Sequence, residues 1–209
     1  MNRINWRKNE AEALNEIKGG TRLLFRFLYS PECEGSQKTI DDTFSDEKVI
    51  ALIERDTAPV MINIAGNKEL AKKHHVDWTP AFVIADEEGE ELERFVGCLA
   101  AAEFMAQFLL SRGLADFHIE RYKEAASELE ELIDEFPDSE LVPEAEYFLG
   151  AANFKVTGSA ESLGEVCQVL TTKYPESLWT KRCSIWAHMP LHKPFVGYDQ
   201  GGSAGSGAY

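Results

Sequence analysis

Two short apolar segments separated by helix-like sequence most constrain the fold of this chain. Residues 22–29, RLLFRFLY, are apolar on both faces and are followed by a Ser-Pro dipeptide, which is typical of a strand buried at the centre of a sheet. Residues 58–65, APVMINIA, have the same character, and residues 81–98 predict a hairpin with its turn at Gly89. Because helix-like segments surround these strands, the sequence predicts an α/β sheet of about four strands flanked by helices.

The second half of the chain changes to helix-like sequence that repeats. Residues 121–140 align with residues 158–177, so that a Phe-Pro pair in the first segment matches a Tyr-Pro pair 38 residues later. A self-similar unit of this size is the signature of a helical-repeat array. We therefore expect an all-α domain of about two repeats and a capping helix.

The repeated residues resemble those of tetratricopeptide repeats. Gly113, Ala125 and Pro137 stand at the small, small and proline positions of that motif, and Gly150 matches the first position of the second copy. Leu163 aligns with Ala125 in the second copy, where the motif has a small residue. The resemblance implies a concave surface that binds peptides or partner helices.

Three stretches of the first half resemble bacterial thioredoxin-like proteins: TFSDEKV (43–49), ELAKKHHVDWTPAFVIADEEGEE (69–91) and RFVGCL (94–99). The resemblance covers roughly residues 4–112, and Thr79-Pro80 is its most specific part. In that family this proline follows a cis peptide bond and faces the active cysteine. The resemblance also implies a groove that binds extended peptides, lined by Trp78, Thr79, Pro80 and Gly97.

The two patterns together predict three parts of the chain. Residues 1–112 would form a thioredoxin-like domain and residues 113–188 the helical repeats. Residues 189–209, which are rich in Gly and Ser near their end, would form a flexible tail. At the boundary near Gly113 we expect a shared or closely packed helix rather than a flexible linker.

Cys33 is the candidate nucleophile of the first domain. It follows the first strand and precedes a helix-like segment, and a helix N-terminus stabilises a thiolate. In thioredoxin-like enzymes a second cysteine three residues later resolves the mixed disulfide, but here Ser36 occupies that position. Because a hydroxyl oxygen cannot resolve a mixed disulfide, a complete reductive cycle through this C-x-x-S motif alone is excluded.

Further departures from the family weaken the enzymatic interpretation. Phe27 replaces the family's buried acid, and Met61 replaces its lysine partner on the next strand. Glu32 and Glu34 flank the cysteine, and we expect their carboxylates to oppose thiolate formation. Cys33 is therefore either a reactive single thiol or an inert remnant of the dithiol site.

Cys98 is a possible resolving thiol because it directly follows Gly97, in the turn that the family's fold places beside the active-site helix. A Cys33–Cys98 disulfide requires Cα atoms within about 7 Å of each other. An external thiol such as glutathione is a second possible resolver. The alternative is that Cys98 is a small buried residue without a chemical role.

Composition limits the partners. The formal charge of −15 opposes binding to nucleic acid or to an anionic membrane and favours basic protein clients. No apolar run reaches the roughly 18 residues of a membrane span, and the charged start lacks the apolar core of a secretory signal, so we expect a cytoplasmic protein. The sequence predicts no cofactor, and the loose spacing of Cys183, His188 and His192 does not favour zinc.

Two functions from different classes remain open. The first is a client-binding adaptor or holdase, with an architecture similar to that of the chaperedoxins, which combine a thioredoxin fold with helical repeats. The second is a monothiol disulfide oxidoreductase or isomerase that uses Cys33, with Cys98 or an external thiol as resolver. Whether Cys33 is reactive and required distinguishes the two.

Overall fold

The computed structural model of the chain describes residues 3–188. In chain order its elements are α1 (Glu10–Ile17), β1 (Leu23–Tyr29), α2 (Glu34–Asp41), α3 (Glu47–Asp56), β2 (Thr57–Asn63), α4 (Lys68–Lys73), β3 (Ala81–Ala85), β4 (Glu91–Val96), α5 (Ala101–His118), α6 (Tyr122–Glu135), α7 (Val142–Thr157), α8 (Glu161–Lys173) and α9 (Leu178–Cys183). Short 3-10 turns cover Thr43–Ser45 and Trp186–His188. The predicted tail, residues 189–209, lies outside the described residues.

The first half forms a four-stranded mixed sheet in the order β2-β1-β3-β4. β1 is parallel to β2 and antiparallel to β3, and β3 pairs with β4 in the predicted hairpin. The central position of β1 explains why its sequence is apolar on both faces. The predicted α/β sheet of four strands with flanking helices, followed by a helical region, is confirmed.

Alternation along β1 builds a different core on each side of the sheet. Phe25 and Phe27 point to one side, where they contact Phe82 and where α5 contributes Phe104 and Phe108. All five rings are fully buried, and burial of each stabilises the fold by roughly 2–3 kcal/mol. This aromatic core fixes the strand that leads to Cys33.

The other side of β1 has a smaller core packed against α1. Leu24 lies there beside Ile17 of α1, and the same side holds the charged residue of the strand. Arg26 is 4% exposed, pairs with Glu10 of α1 at 3.1 Å and donates a hydrogen bond to the Gly89 carbonyl at 2.7 Å. A charge can lie inside this strand because its hydrogen-bond partners are supplied.

The segment after Cys33 contains two helices rather than one continuous helix. The sequence left open whether residues 46–56 continue the preceding helix. The 3-10 turn Thr43–Ser45 separates α2 from α3, and the Asp46 carboxylate accepts hydrogen bonds from the backbone N–H groups of Lys48 and Val49. An Asp N-cap of this kind begins a new helix.

Helix α5 belongs to both halves of the molecule. Its first turns pack on the sheet through Phe104 and Phe108, and its later turns pack against α6, where Gly113 faces Leu129. The helix runs unbroken through the predicted boundary at residue 112. The two halves are therefore joined by a shared helix, as expected, and the exact domain boundary stays a prediction.

The helical region packs two helix pairs in equivalent ways. A Cβ atom on Gly113 would lie 2.8 Å from Leu129 Cγ, and one on Gly150 would lie 2.6 Å from Val166 Cγ1. Both glycines therefore permit a close helix approach that alanine would obstruct. The Cβ atom added to Gly113 would also lie 3.3 Å from the carbonyl oxygen of Ala125, and the one added to Gly150 would lie 3.3 Å from that of Ser162. In the second copy, the residue equivalent to Ala125 is therefore Ser162 and not Leu163, which corrects the register predicted from the sequence.

A cluster of charged side chains, with Arg112, Asp116 and Glu128 at its buried centre, lies where α3, α5 and α6 meet. We call Arg55, Arg112, Asp116, Arg121 and Glu128 the junction cluster. Arg112 Nη2 lies 3.2 Å from Asp116 Oδ2 and 3.6 Å from Glu128 Oε1. Arg121 Nε lies 3.1 Å from Asp116 Oδ1, and Arg55 Nη2 lies 3.9 Å from Glu128 Oε2.

The carboxyl groups of the junction cluster hold their protons more tightly than usual. Burial raises the pKa of Asp116 above its ordinary range and raises the pKa of Glu128 to about 7, against the opposing charge of Arg112. Arg112 is shared between the two carboxyl groups, and their other arginines, Arg121 and Arg55, are partly exposed. The cost of burying both carboxylates is therefore not fully offset.

Candidate functional site

Cys33 lies at the N-terminus of α2, where the loop after β1 enters the helix. It is the N-cap residue, its side chain is half-buried, and its N–H donates to the Ser30 carbonyl at 3.0 Å. The unpaired N–H groups of the first helical turn point towards its sulfur and favour the thiolate. The structure thus places Cys33 where the sequence predicted it.

The Thr79-Pro80 peptide bond is cis, and it lies against Cys33 as the resemblance implies. The thiol donates a hydrogen bond to the Thr79 carbonyl, with 3.1 Å between Sγ and O. Because a carbonyl oxygen accepts the thiol proton, it favours the protonated form of Cys33. Hydrogen-bond donors around the sulfur favour the thiolate instead.

The pKa of Cys33 is lowered from the ordinary value of a thiol. A hydrogen bond from the Thr79 side chain contributes most, burial opposes it, and hydrogen bonds from the Ser36 side chain and from the backbone N–H groups of Ser36 and Gly35 add to it. Glu32 and Glu34 are exposed, where solvent screens their charges. The hydrogen bonds to the sulfur outweigh burial and lower the pKa of Cys33, and the opposing effect expected of the two flanking carboxylates stays a prediction.

Ser36 has a role of its own beside the thiol. Its side chain is fully buried, and its Oγ accepts a long hydrogen bond from the Ser30 N–H at 3.4 Å. The hydroxyl also stabilises the Cys33 thiolate. It cannot resolve a mixed disulfide, but it can support the nucleophile.

The family's buried acid and lysine are both absent from the sheet interior. Phe27 is fully buried and pairs in register with Met61 on β2, so the two replacements lie side by side. Phe27 packs against Phe44 and Phe82, with ring centroids 5.0 and 5.4 Å away. Phe27 and Met61 have no ionisable group, so neither can transfer a proton to or from Cys33.

Cys98 lies close to Cys33 across the space left by Gly35. A Cβ atom built on Gly35 would lie 3.8 Å from Cys33 Sγ, 3.6 Å from Cys98 Cβ and 3.2 Å from Pro80 Cδ. Because Cys33 Sγ and Cys98 Cβ both lie within 4 Å of one point, they are less than 8 Å apart. Cys98 is exposed rather than buried, which contradicts its reading as a small core residue. Both thiols are free.

We call the surface formed by Cys33, Gly35, Thr79, Pro80 and Cys98 the thiol cleft. Exposed apolar side chains lie next to it. Trp78 is 72% exposed and Val96 is 54% exposed. Val96 pairs with Ala81 in the sheet, and the Gly97 N–H donates to the Pro80 carbonyl at 2.9 Å. Large exposed apolar groups beside a cleft are typical of a surface that contacts another chain.

Gly35 and Val96 are site residues that sequence reasoning did not identify. Gly35 matters because it leaves free the space next to both Cys33 Sγ and Cys98 Cβ, atoms of two cysteines that are far apart in sequence. Val96 could have been inferred from the hairpin register, which places it opposite the residue after Pro80.

The other candidate residues do not join the thiol cleft. Cys183 is buried in the helical core, where its carbonyl accepts a hydrogen bond from the Cys167 thiol at 3.1 Å. His192 and the side chain of His188 lie outside the described residues. Within residues 3–188, no group of three or more His, Cys, Asp or Glu residues is arranged to hold a metal ion.

The comparison with known families agrees with the geometry. Residues 10–110 match the family model of the thioredoxin-like domain. These residues form a thioredoxin-like domain. No curated protein matches the chain, and no helix within residues 3–188 is long and apolar enough to cross a membrane.

Solved structures similar to the chain include a thioredoxin from Thermus thermophilus, with 25% sequence identity over 51% of this chain and 85% of that one and a TM-score of 0.44. A DsbH oxidoreductase is 19% identical over 51% of this chain and 83% of its own, with a TM-score of 0.45. The C-terminal domain of Neisseria meningitidis DsbD in its oxidised form is 15% identical over 49% and 91%, with a TM-score of 0.44.

Proposed function

We propose that this chain binds extended segments of client proteins in the thiol cleft and holds them covalently through Cys33. The observation that carries the proposal is the lowered pKa of Cys33 beside cis-Pro80, where Trp78 and Val96 expose apolar surface to a client. An extended segment that binds beside a cis-proline is held by backbone hydrogen bonds, and pockets for its side chains give specificity. The proposed role is that of a redox-linked adaptor or holdase, similar to the chaperedoxins.

The covalent step is one thiol–disulfide exchange. The Cys33 thiolate attacks a client disulfide R–S–S–R′, a Cys33–S–S–R bond forms, and R′–S⁻ leaves with the electron pair of the broken bond. Ser36 cannot complete the cycle, so the client stays attached. Release requires a second thiol.

The helical region supports a binding role. Its two helix pairs share the glycine contacts described above, which favours interpretation as tetratricopeptide-like repeats with a partner surface of their own. The four free cysteines fit a reducing compartment such as the cytoplasm, which is part of the proposal.

A peptide whose single cysteine carries a thionitrobenzoate group tests the proposal directly. The Cys98→Ser background removes the other exposed thiol, so attack on the peptide sulfur should release one coloured thionitrobenzoate per protein and leave a peptide adduct on Cys33. Adding Cys33→Ser in this background should abolish the adduct, and adding Trp78→Ala should slow its formation without changing the final yield. Equal adduct yields from Cys98→Ser and from the Cys33→Ser/Cys98→Ser double variant would refute the proposal.

A second candidate function is thiol-disulfide exchange with Cys98 as the resolving thiol, and the position of Gly35 favours it. The Cys98 thiolate would attack Cys33 Sγ, form a Cys33–Cys98 disulfide and release the client as R–S⁻. The client is then reduced by two electrons and the protein is oxidised, so turnover needs an external thiol such as glutathione. This step requires the turn at Gly97, where φ is +100°, to bring the two sulfurs together.

The same assay separates the two functions. If Cys98 resolves, the adduct decays, the peptide appears as a free thiol and the protein loses two mass units, whereas Cys98→Ser retains the adduct. Gly35→Ala would place a methyl group 3.8 Å from Cys33 Sγ, 3.6 Å from Cys98 Cβ and 3.2 Å from Pro80 Cδ, so it should slow the decay. A wild-type adduct as long-lived as that of Cys98→Ser would exclude resolution by Cys98.

A further inference from the structure

A groove lies next to the thiol cleft, between the start of α5 and the turn that joins α6 to α7. We call it the α5 groove. Its volume is about 630 Å³. Its apolar lining consists of Leu99, Ala102, Ala106, Phe136, Pro137 and Leu141. An open apolar groove of this size accommodates large side chains of an extended segment.

The rim of the α5 groove is acidic. Four carboxylates line it, all exposed: Glu103, Glu135, Asp138 and Glu140. The groove is lined by no Lys or Arg from residues 3–188. In the same part of the chain none of the four carboxylates forms a salt bridge, whereas Glu16 and Glu91 pair with arginines.

We propose that the α5 groove binds an extended client segment in which Lys or Arg residues flank a large apolar residue. The apolar residue would enter the groove and the basic residues would meet the rim carboxylates. Charge complementarity selects this occupant, because an acidic segment would be repelled by four unneutralised carboxylates. Such a surface gives specificity and fast association more than high affinity.

The groove continues from the thiol cleft, and this part of the argument rests on the proposed function. Leu99 lines the groove and directly follows Cys98. The Thr43 hydroxyl donates to the Leu99 carbonyl at 2.6 Å, so the connecting segment is held in place. A client attached at Cys33 can therefore extend into the groove within a few residues, at about 3.3 Å per residue.

The test uses fluorescent ten-residue peptides without cysteine, so that binding does not depend on the thiol. One peptide places Leu between two Arg pairs, a second replaces Leu by Ser, and a third replaces each Arg by Glu. Fluorescence anisotropy at low salt should show the basic apolar peptide binding at least tenfold more tightly than either of the others.

Matched charge variants locate the site. Glu103→Gln/Asp138→Asn should weaken binding about fivefold, consistent with two exposed charge contacts. Glu130→Gln/Asp134→Asn removes the same charge from exposed positions of α6 outside the groove and should have little effect. Equal losses in the two variants would show attraction to the overall negative charge and would overturn the proposal.

A second variant tests the groove without changing its charge. Ala102 is exposed in the groove lining, and Ala102→Trp should fill the groove and reduce binding more than tenfold while circular dichroism stays unchanged. Full binding by this variant would overturn the proposal. So would a groove variant that changes only self-association in sedimentation, since the occupant would then be a second copy of the chain. Loss of the adduct at Cys33 with normal peptide binding would instead refute only the proposed function.

Discussion

The interior of the sheet beside Cys33 contains apolar side chains where the family has a charged pair, whereas the junction cluster beside α6 buries charged side chains. Beside Cys33, where the family has an acid and a lysine, the chain has Phe27 against Met61. At the junction, Arg112 and Asp116 are 5% and 0% exposed by side chain. The thiol is therefore supported by hydrogen bonds at the helix N-terminus, whereas the contact between sheet and helical region contains carboxyl groups whose pKa is raised by burial.

Returning an acid to the sheet interior should have the largest effect. Phe27→Asp removes a fully buried ring and places a charge among aromatic side chains, so the free energy of unfolding should fall by at least 4 kcal/mol. Phe27→Leu is the matched control and should cost about 1–2 kcal/mol. Urea denaturation measures both. Similar losses for Asp and Leu would mean that this interior tolerates charge and would break the contrast.

Removing the shared cation of the junction cluster should have the next largest effect. Arg112→Met leaves two buried carboxyl groups with weaker partners, and it should lower the free energy of unfolding by about 3 kcal/mol at pH 8. The loss should shrink at pH 5, below the pKa of about 7 of Glu128, where that carboxyl group is protonated. Arg22→Met, which removes a partly exposed partner of Glu16, should cost less than about 1 kcal/mol. A loss that is independent of pH would contradict this account.

Glu128 should make stability depend on pH in a defined direction. Its folded-state pKa of about 7 exceeds the ordinary value near 4.5. The folded state therefore binds the proton more tightly, and stability is lost as pH rises from about 4.5 through 7. The expected contribution is on the order of 3 kcal/mol.

Glu128→Gln isolates that contribution, because Asp56, Arg55, Arg112 and Asp116 remain around the site. The stability of the wild type relative to this variant should fall between pH 5 and pH 8 and level off above that. Denaturation at each pH measures the difference. A difference that stays constant, or that grows in favour of the wild type as pH rises, would show that Glu128 is ionised in the folded protein throughout.

The sequence predicted the parts of the site that depend on local pattern. The apolar strand before Cys33, the hairpin turn at Gly89 and the proline before β3 are each visible in a few consecutive residues. The replacement of the family's acid and lysine by Phe27 and Met61 also followed from position alone, and the strand register confirms that they are neighbours.

The parts that escaped sequence reasoning are contacts between distant segments. Periodicity cannot show that Gly35 leaves space beside Cys98, or that Arg112 of α5 pairs with the carboxyl group of Glu128 on α6. Sequence proximity also does not reveal that Glu32 and Glu34 are exposed to solvent. The register of Ser162 required the helix contact at Gly150.

The most direct test of the central claim is the rate of Cys33 alkylation by iodoacetamide as a function of pH. Cys98→Ser removes the neighbouring exposed thiol, and the double variant with Cys33→Ser gives the background. The midpoint should lie below the ordinary thiol value of about 8.5, and Ser36→Ala should move it upward. A midpoint at or above 8.5 that does not respond to Ser36→Ala would contradict the claim that hydrogen bonds at the N-terminus of α2 make this single thiol reactive.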